Sequence, residues 1–231
     1  MAFATQVETV CTLYAYAPVL AAMGGHVVST DEMTGIQALE RIAPTKPVRS
    51  GREERREFEY KRHGTLSLIM NFDVVTGQGC TPSLGPTRTE ADFAAHIDQT
   101  IATDPAAVWV FVTDQLNTHQ SESLVQLVAT HCGITDDLGH KGESGILQSM
   151  ASRATFLSDP THRIQFVYVP KHTSWLNQVE IWFSILVRRV LKRSSFRSVA
   201  ELRERILAFI TYFNRTAKPF EWTYTGRPLV I

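Results

Sequence analysis

The chain is 231 residues long, 44% hydrophobic and 20% charged, enough for one large domain, or two small ones, around a buried core. Lys+Arg and Asp+Glu both number 23, and the weakly apolar stretch from Tyr14 to Gly25 follows no basic cluster and is interrupted by Pro18 and two glycines, so neither a signal peptide nor a membrane span is expected and the protein is placed in the cytoplasm. Its three cysteines, Cys11, Cys80 and Cys132, are odd in number and show no C-x-x-C spacing, which argues against a disulfide framework or a zinc site and for buried free thiols.

Val7, Val10, Cys11 and Tyr14 recur at helical spacing before Pro18 and Gly24-Gly25 break the pattern, so residues 1–25 are expected to be a short linker helix and a loop. His26 to Asp31 reads as a buried strand ending on carboxylates, with Ile36 to Arg41 as its hairpin partner after a turn at Thr34-Gly35. Residues 42–57 hold two prolines, Gly51 and the charged run Arg52 to Glu57 without an apolar period, which predicts a loop. Strand character returns in two pieces, Phe58 to Tyr60 and Leu66 to Val75, separated by Gly64. Glycine and proline between Cys80 and Pro86 predict a connection, after which Thr89-Glu90 opens a helix with Phe93, Ala94, Ile97 and Ile101 on one face.

Val108 to Val112 is an apolar run of strand length, and the helix after it carries Leu124, Val125, Leu127 and Val128 and stops near Gly133. Residues 133–160 are rich in Gly, Ser and Asp and read as an insertion with one short helix from Ile146 to Phe156. A buried strand from Ile164 to Val169 leads to two long helices, Asn177 to Arg193 and Val199 to Asn214; Val179, Trp182, Phe183, Leu186, Val187, Val190 and Leu191 line one face of the first. The order predicts an α/β domain over residues 26–231, a mixed five-stranded sheet flanked by helices on both faces.

The neutral total hides an asymmetry: residues 1–160 carry 11 Lys+Arg against 19 Asp+Glu, and residues 161–231 carry 12 against 4. Such a basic third can attract a polyanion, although a solvated helix face is the commoner cause of a Lys/Arg excess. Asp31 at the first strand's end, Asp114 at the fourth's, and Glu180 in a helix's first turn stand where a sheet enzyme would gather hard oxygen ligands for divalent ions. Two ions there would activate an attacking oxygen and stabilise a leaving one in phosphoryl displacement. By position alone, Asp31 is equally a turn residue, Asp114 a helix cap, and Glu180, near a cap at Asn177 or Ser174, a partner of the helix dipole.

Local wording changes that balance. Lys171-His172-Thr173-Ser174-Trp175-Leu176-Asn177-Gln178-Val179-Glu180 resembles the third-carboxylate motif, Ser-x-x-Leu-Asn-x-x-Glu, of the IS630 and Tc1/mariner superfamily of transposases. Asp114-Gln115-Leu116-Asn117-Thr118-His119 resembles the second motif, Asp-Asn-x-x-x-His, and Thr30-Asp31-Glu32 with Gly35-Ile36-Gln37 resembles the first. Tyr60 to Thr65 is similar to the basic segment between them, and the likeness runs from about Val7 to Pro228. Two departures stand out: Gln115 replaces the usual Asn, and the 66 residues from Asp114 to Glu180 exceed the usual spacing, the excess coinciding with the insertion at 133–160.

The resemblance implies an RNase H-like DDE catalytic domain in which Asp31, Asp114 and Glu180 hold two Mg²⁺ or Mn²⁺ ions. It implies cleavage at transposon ends, joining to TA-containing target DNA, and a nucleoid-associated location. Family members begin with helix-turn-helix modules, so the recognition half is expected to be separately encoded or fused by frameshifting, and a homodimer is among the assemblies implied. His119, Lys171, Trp175, Asn177, Arg188, Arg189 and Lys192 are the DNA-contact candidates; Trp175 also reads as core, His119 as a structural hydrogen-bonder, and Arg188, Arg189 and Lys192, with Arg193, as a helix-end cluster. The rival readings are a catalytically idle remnant or DNA-binding regulator of the same fold, and a repair or RNA-processing nuclease.

Overall fold

In the computed structural model, which describes residues 3–192 and 194–224, five strands pair in the order β3-β2-β1-β4-β5. They are β1 (Gly25–Arg41), β2 (Tyr60–Asp73), β3 (Gly79–Gly85), β4 (Val108–Thr113) and β5 (Ile164–Tyr168). The first three are antiparallel neighbours, and β4 and β5 add in parallel. The mixed five-stranded α/β sheet is therefore as expected, but three of its members differ from the sequence reading.

Ile36 to Arg41 is not a hairpin partner: it continues β1, and both halves pair with β2. Thr34-Gly35 is a bulge, where three steps along β1 match two along β2, and Gly35 adopts φ 65°. Likewise Gly64 does not separate two strands but sits within β2, with φ 125°, at a second register shift. A glycine in a strand supplies the left-handed backbone that an extra residue needs, so both turn signals mark bends in long strands rather than their ends. The expected connection at Cys80 to Pro86 forms most of edge strand β3, which tolerates Pro82 because its outer side has no strand to bond; Thr81, φ 44°, lies at the β2–β3 register shift.

Among the described residues six α-helices cover the two faces: α1 (Phe3–Ala22), α2 (Glu90–Ile101), α3 (Glu122–Cys132), α4 (Met150–Leu157), α5 (Gln178–Leu186) and α6 (Val199–Asn214). Strand alternation sorts the core. Val28, Ile69, Trp109 and Phe111 pack with Phe93, Ile97, Leu124 and Val125 of α2 and α3. On the other face Leu68, Met70 and Phe72 meet Trp182, Leu186, Ile206 and Ile210 of α5 and α6, while Val27, Val110 and Val112 meet Val7, Val10, Tyr14 and Ala17 of α1. Helix α1 is thus continuous through Pro18 and built into the core, where the sequence predicted a short linker helix and a loop; Pro18 lies on its exposed side, where water can take the carbonyl that a proline leaves unpaired.

Residues 42–57 remain without regular structure apart from two isolated bridges. The 133–160 segment is anchored: Leu147 and Leu157 are buried in the core, and Arg153 donates to the carbonyls of Gln120 and Leu147. Helix α5 passes into a π-helical turn over Val187–Leu191, and its expected end at Arg193, like the resemblance's end at Pro228, lies outside the described residues. Among the described residues no helix is long and apolar enough to cross a membrane. Cys11 is buried, but Cys80 and Cys132 are only half-buried.

Candidate active site

Parallel pairing of β1 with β4 runs to Ser29 opposite Val112, and Asp31 and Asp114 each stand two residues further along. Asp31 does not end β1; it lies mid-strand, 7% exposed. Its Oδ1 accepts the amide of Glu32 at 2.8 Å and its Oδ2 accepts Asn177 Nδ2 at 2.9 Å. Burial, and then the charge of Asp114, push its carboxyl up to about 8.

Glu180 reaches this edge because the start of α5 is docked on β1. Asn177, the residue before the helix, makes no capping bond with its own side chain. Its Nδ2 instead donates to Asp31 Oδ2 and, at 3.2 Å, to the carbonyl of Thr30, while its Oδ1 accepts the hydroxyl of Ser29. Ser29 Oγ in turn accepts the amide of Val179 at 2.9 Å. A strand serine thus satisfies one of the free N–H groups that every helix start exposes, and the same residues fix where Glu180 begins. Glu180 is half-buried, and burial followed by the charge of Asp114 raises its pKa.

Asp114 follows β4 immediately. Its Oδ1 lies 2.7 Å from His119 Nδ1 and accepts the amide of Leu116 at 2.9 Å. Burial works to raise its pKa, but the hydrogen bond and charge of His119, the Leu116 amide and the charge of Arg88 bring it below the ordinary value. His119 is fully buried, its ring 4.2 Å from that of Phe93. Its Nε2 lies 2.7 Å from Glu32 Oε2, and Thr113 Oγ1 is 2.8 Å from its Nδ1. Burial opposes a proton on this ring, yet the bonds to Asp114 and Glu32 outweigh it and raise the imidazole to about 10. Gln115, where the resemblance expects Asn, turns away and donates to the Val169 carbonyl at 3.0 Å.

Of the DNA-contact candidates, Lys171, Arg188, Arg189 and Lys192 are exposed. Trp175 is 48% exposed, with its ring edge-on to that of Tyr224, so its expected core role does not hold. His119 and Asn177 are 0% exposed and offer DNA no surface: each is consumed in holding a carboxylate. Glu32 is the residue that the sequence reading passes over. Strand alternation carried the signal, because the residue after Asp31 must face the opposite side, towards α2.

The donor set suits a hard divalent cation. Asp31 and Glu180 both feel the charge of Asp114, which adds to burial in raising their pKa values, a conflict that a nearby cation would relieve. Asp31, Glu32 and His119 also place potential ligand atoms within 4.8 Å of one another, but both ring nitrogens of His119 are already engaged.

The family model described as DDE superfamily endonuclease matches residues 26–203. No curated protein matches the chain. Among solved structures, the catalytic domain of Mos1 mariner transposase is similar at TM-score 0.52 and 9% identity, covering 90% of this chain and 81% of that one. The Mos1 mariner paired end complex with Mn is similar at TM-score 0.54 and 11% identity, over 90% of this chain and 54% of that one. The Mos1 Strand Transfer Complex gives 0.51 and 11%, over 91% and 55%. The chain therefore spans about half the length of the Mos1 chains in those complexes, and at such identities the likeness is one of fold: the RNase H-like sheet with flanking helices.

Proposed function

The chain belongs to the DDE superfamily endonucleases, and on that footing we propose that it cuts and joins DNA with Asp31, Asp114 and Glu180 as the ligands of two divalent ions, Mg²⁺ or Mn²⁺. The observation that carries the proposal is the docking of α5 on β1 through Asn177 and Ser29, which brings the carboxylate of a distant helix to the edge where two parallel strands leave theirs. When bound, the ions supply activation of the attacking oxygen and stabilisation of the leaving one. The protein's own part is positioning. Asn177 holds Asp31, His119 holds Asp114, and the rigid start of α5 carries Glu180, so the three change little when DNA arrives.

On this reading water opens a phosphodiester at a transposon end, and the freed 3′-hydroxyl attacks a TA-containing target at the same site. Exposed Lys171, Trp175, Arg188, Arg189 and Lys192 supply the DNA-facing surface. The catalytic unit is the domain expected over residues 26–231 together with α1, whose Val7, Val10, Tyr14 and Ala17 pack into its core. The test is nicking of supercoiled plasmid by the purified chain in Mn²⁺, with joining of a labelled oligonucleotide 3′-end to plasmid as the second readout. Asp31→Asn, Asp114→Asn and Glu180→Gln should each abolish both without unfolding the protein. Metal-dependent nicking that persists unchanged in all three variants overturns the proposal.

A further inference from the structure

We propose that Glu32 and His119 form a positioning unit that fixes the rotamer of Asp114, so that Oδ1 is held inside the protein and Oδ2 is the oxygen presented to metal. This rests on reading Asp114 as a metal ligand.

Two adjacent acids, Asp31 and Glu32, lie in β1. Asp31 and Glu32 necessarily point to opposite faces of the sheet. Asp31 meets Asn177 on the α5 side; Glu32 is driven towards the face where Phe93 and the apolar positions of α2 and α3 pack. Its side chain is only 2% exposed. A carboxylate so placed is tolerated only when paired and hydrogen-bonded, and the partners are His119 Nε2 at 2.7 Å and, more weakly, Thr118 Oγ1 at 3.4 Å. Nothing in the sheet itself requires an acid at this position.

The other side of the imidazole shows what the pair accomplishes. With Nε2 committed to Glu32, Nδ1 faces Asp114 Oδ1 at 2.7 Å. The ring is held from two further directions, with Thr113 Oγ1 2.8 Å from Nδ1 and Phe93 packed on its face, and the backbone of His119 is fixed by its carbonyl, which accepts the hydroxyl of Tyr168 at 2.8 Å. Asp114 stands beyond the end of β4, and its side chain is 42% exposed, so the strand alone does not set its orientation. The Leu116 amide donates to Asp114 Oδ1, the same oxygen that pairs with His119 Nδ1, and that nitrogen also lies 3.3 Å from the Asp114 main-chain carbonyl. The chain from Glu32 through His119 to Asp114 thus ties β1 to the segment after β4, in the way that an outer carboxylate orients a metal-binding group through an imidazole.

A merely structural pair would matter for folding and leave metal binding alone, so the experiment measures both. Mn²⁺ binding to the full chain, without DNA, is followed by the electron paramagnetic resonance signal of free Mn²⁺, beside circular dichroism and thermal unfolding, for Glu32→Gln, His119→Gln, the double variant and Asp114→Asn. In the folded single variants Mn²⁺ affinity should fall about 10- to 100-fold, as for other outer partners of metal ligands. The double variant should be no weaker than His119→Gln, because Glu32 acts through His119; high Mn²⁺ should restore nicking to Glu32→Gln but not to Asp114→Asn. If Glu32→Gln does not fold, His119→Gln decides. Folded single variants with parental Mn²⁺ affinity, or losses that add in the double variant, overturn the inference. Should Asp114→Asn itself bind Mn²⁺ like the parent, the metal-ligand reading fails instead.

Discussion

His96 gives the most direct electrostatic test of the fold that carries the site. It is fully buried on the inner side of α2, with Ser83 Oγ 2.8 Å from Nδ1 and no hydrogen-bond partner for Nε2 among the described residues. Burial holds the ring neutral and pulls its pKa from 6.5 down to about 3. Because the folded value lies below the unfolded one, the stability it contributes is complete above 6.5 and is lost as pH falls towards 3. At about pH 5 the unfolded chain has bound a proton that the folded chain refuses, and the difference amounts to about 2 kcal/mol relative to about pH 7.5. Urea unfolding followed by tryptophan fluorescence at the two pH values, for the parent and His96→Asn, reads this directly. Asp31, pushed up to about 8, gains stability on the same descent and opposes it in both proteins, so only the difference between them counts. The variant should lose about 2 kcal/mol less than the parent on acidification; an equal loss in both refutes the reasoning.

Two further substitutions probe how the site is held. Asn177→Ala removes the bonds to Asp31, the Thr30 carbonyl and Ser29 and leaves buried groups unpaired, so it should destabilise the chain by about 2–4 kcal/mol in chemical denaturation and weaken plasmid nicking along with it. Trp182→Ala empties the space ringed by Phe183, Phe209 and Phe213 beneath a side chain that is 0% exposed; about 3–5 kcal/mol should be lost in the same assay, with α5 and α6 both released from the sheet.

What could be read from sequence divides by the kind of signal. Helices with a clear apolar period and a capping residue were legible almost to the residue: Thr89 caps α2, Gly133 ends α3 in the left-handed region, and Ser198 caps α6. Glycine was ambiguous, because Gly35 and Gly64 bend strands through positive φ rather than reverse them, and a local pattern does not distinguish a bulge from a turn. Pro82 hid β3 for a related reason: only knowledge that the strand is at the edge makes a proline acceptable there. The acidic positions of the site stood out through their flanking motifs, whereas the buried roles of Asn177, His119 and Glu32 depend on contacts spanning 146, 5 and 87 residues. Trp175 fails for the opposite reason, since its apolar character predicts burial that its place in the turn before α5 does not provide.

The buried partners also fix the shape of the site. Acids brought to one sheet edge repel, and the conflict is visible in the raised pKa values of Asp31 and Glu180. A flexible edge would relieve it by letting the side chains swing into water. Here Asp31 cannot swing, because Asn177 fastens it to the start of α5, and Asp114 is held by a ring that Glu32 anchors on the far face of the sheet. The repulsion is therefore met by protonation and by the charge of His119 rather than by movement. On the proposed reading the same constraint serves the chemistry, since a cation that enters need only displace a proton and not gather its ligands. On the same reading helix α5 links metal to polyanion. It sets Glu180 in its first turn at the acidic edge and continues to exposed Arg188 and Arg189 two turns later, about 12 Å away along the axis, where they attract the phosphates that the acids alone would turn away.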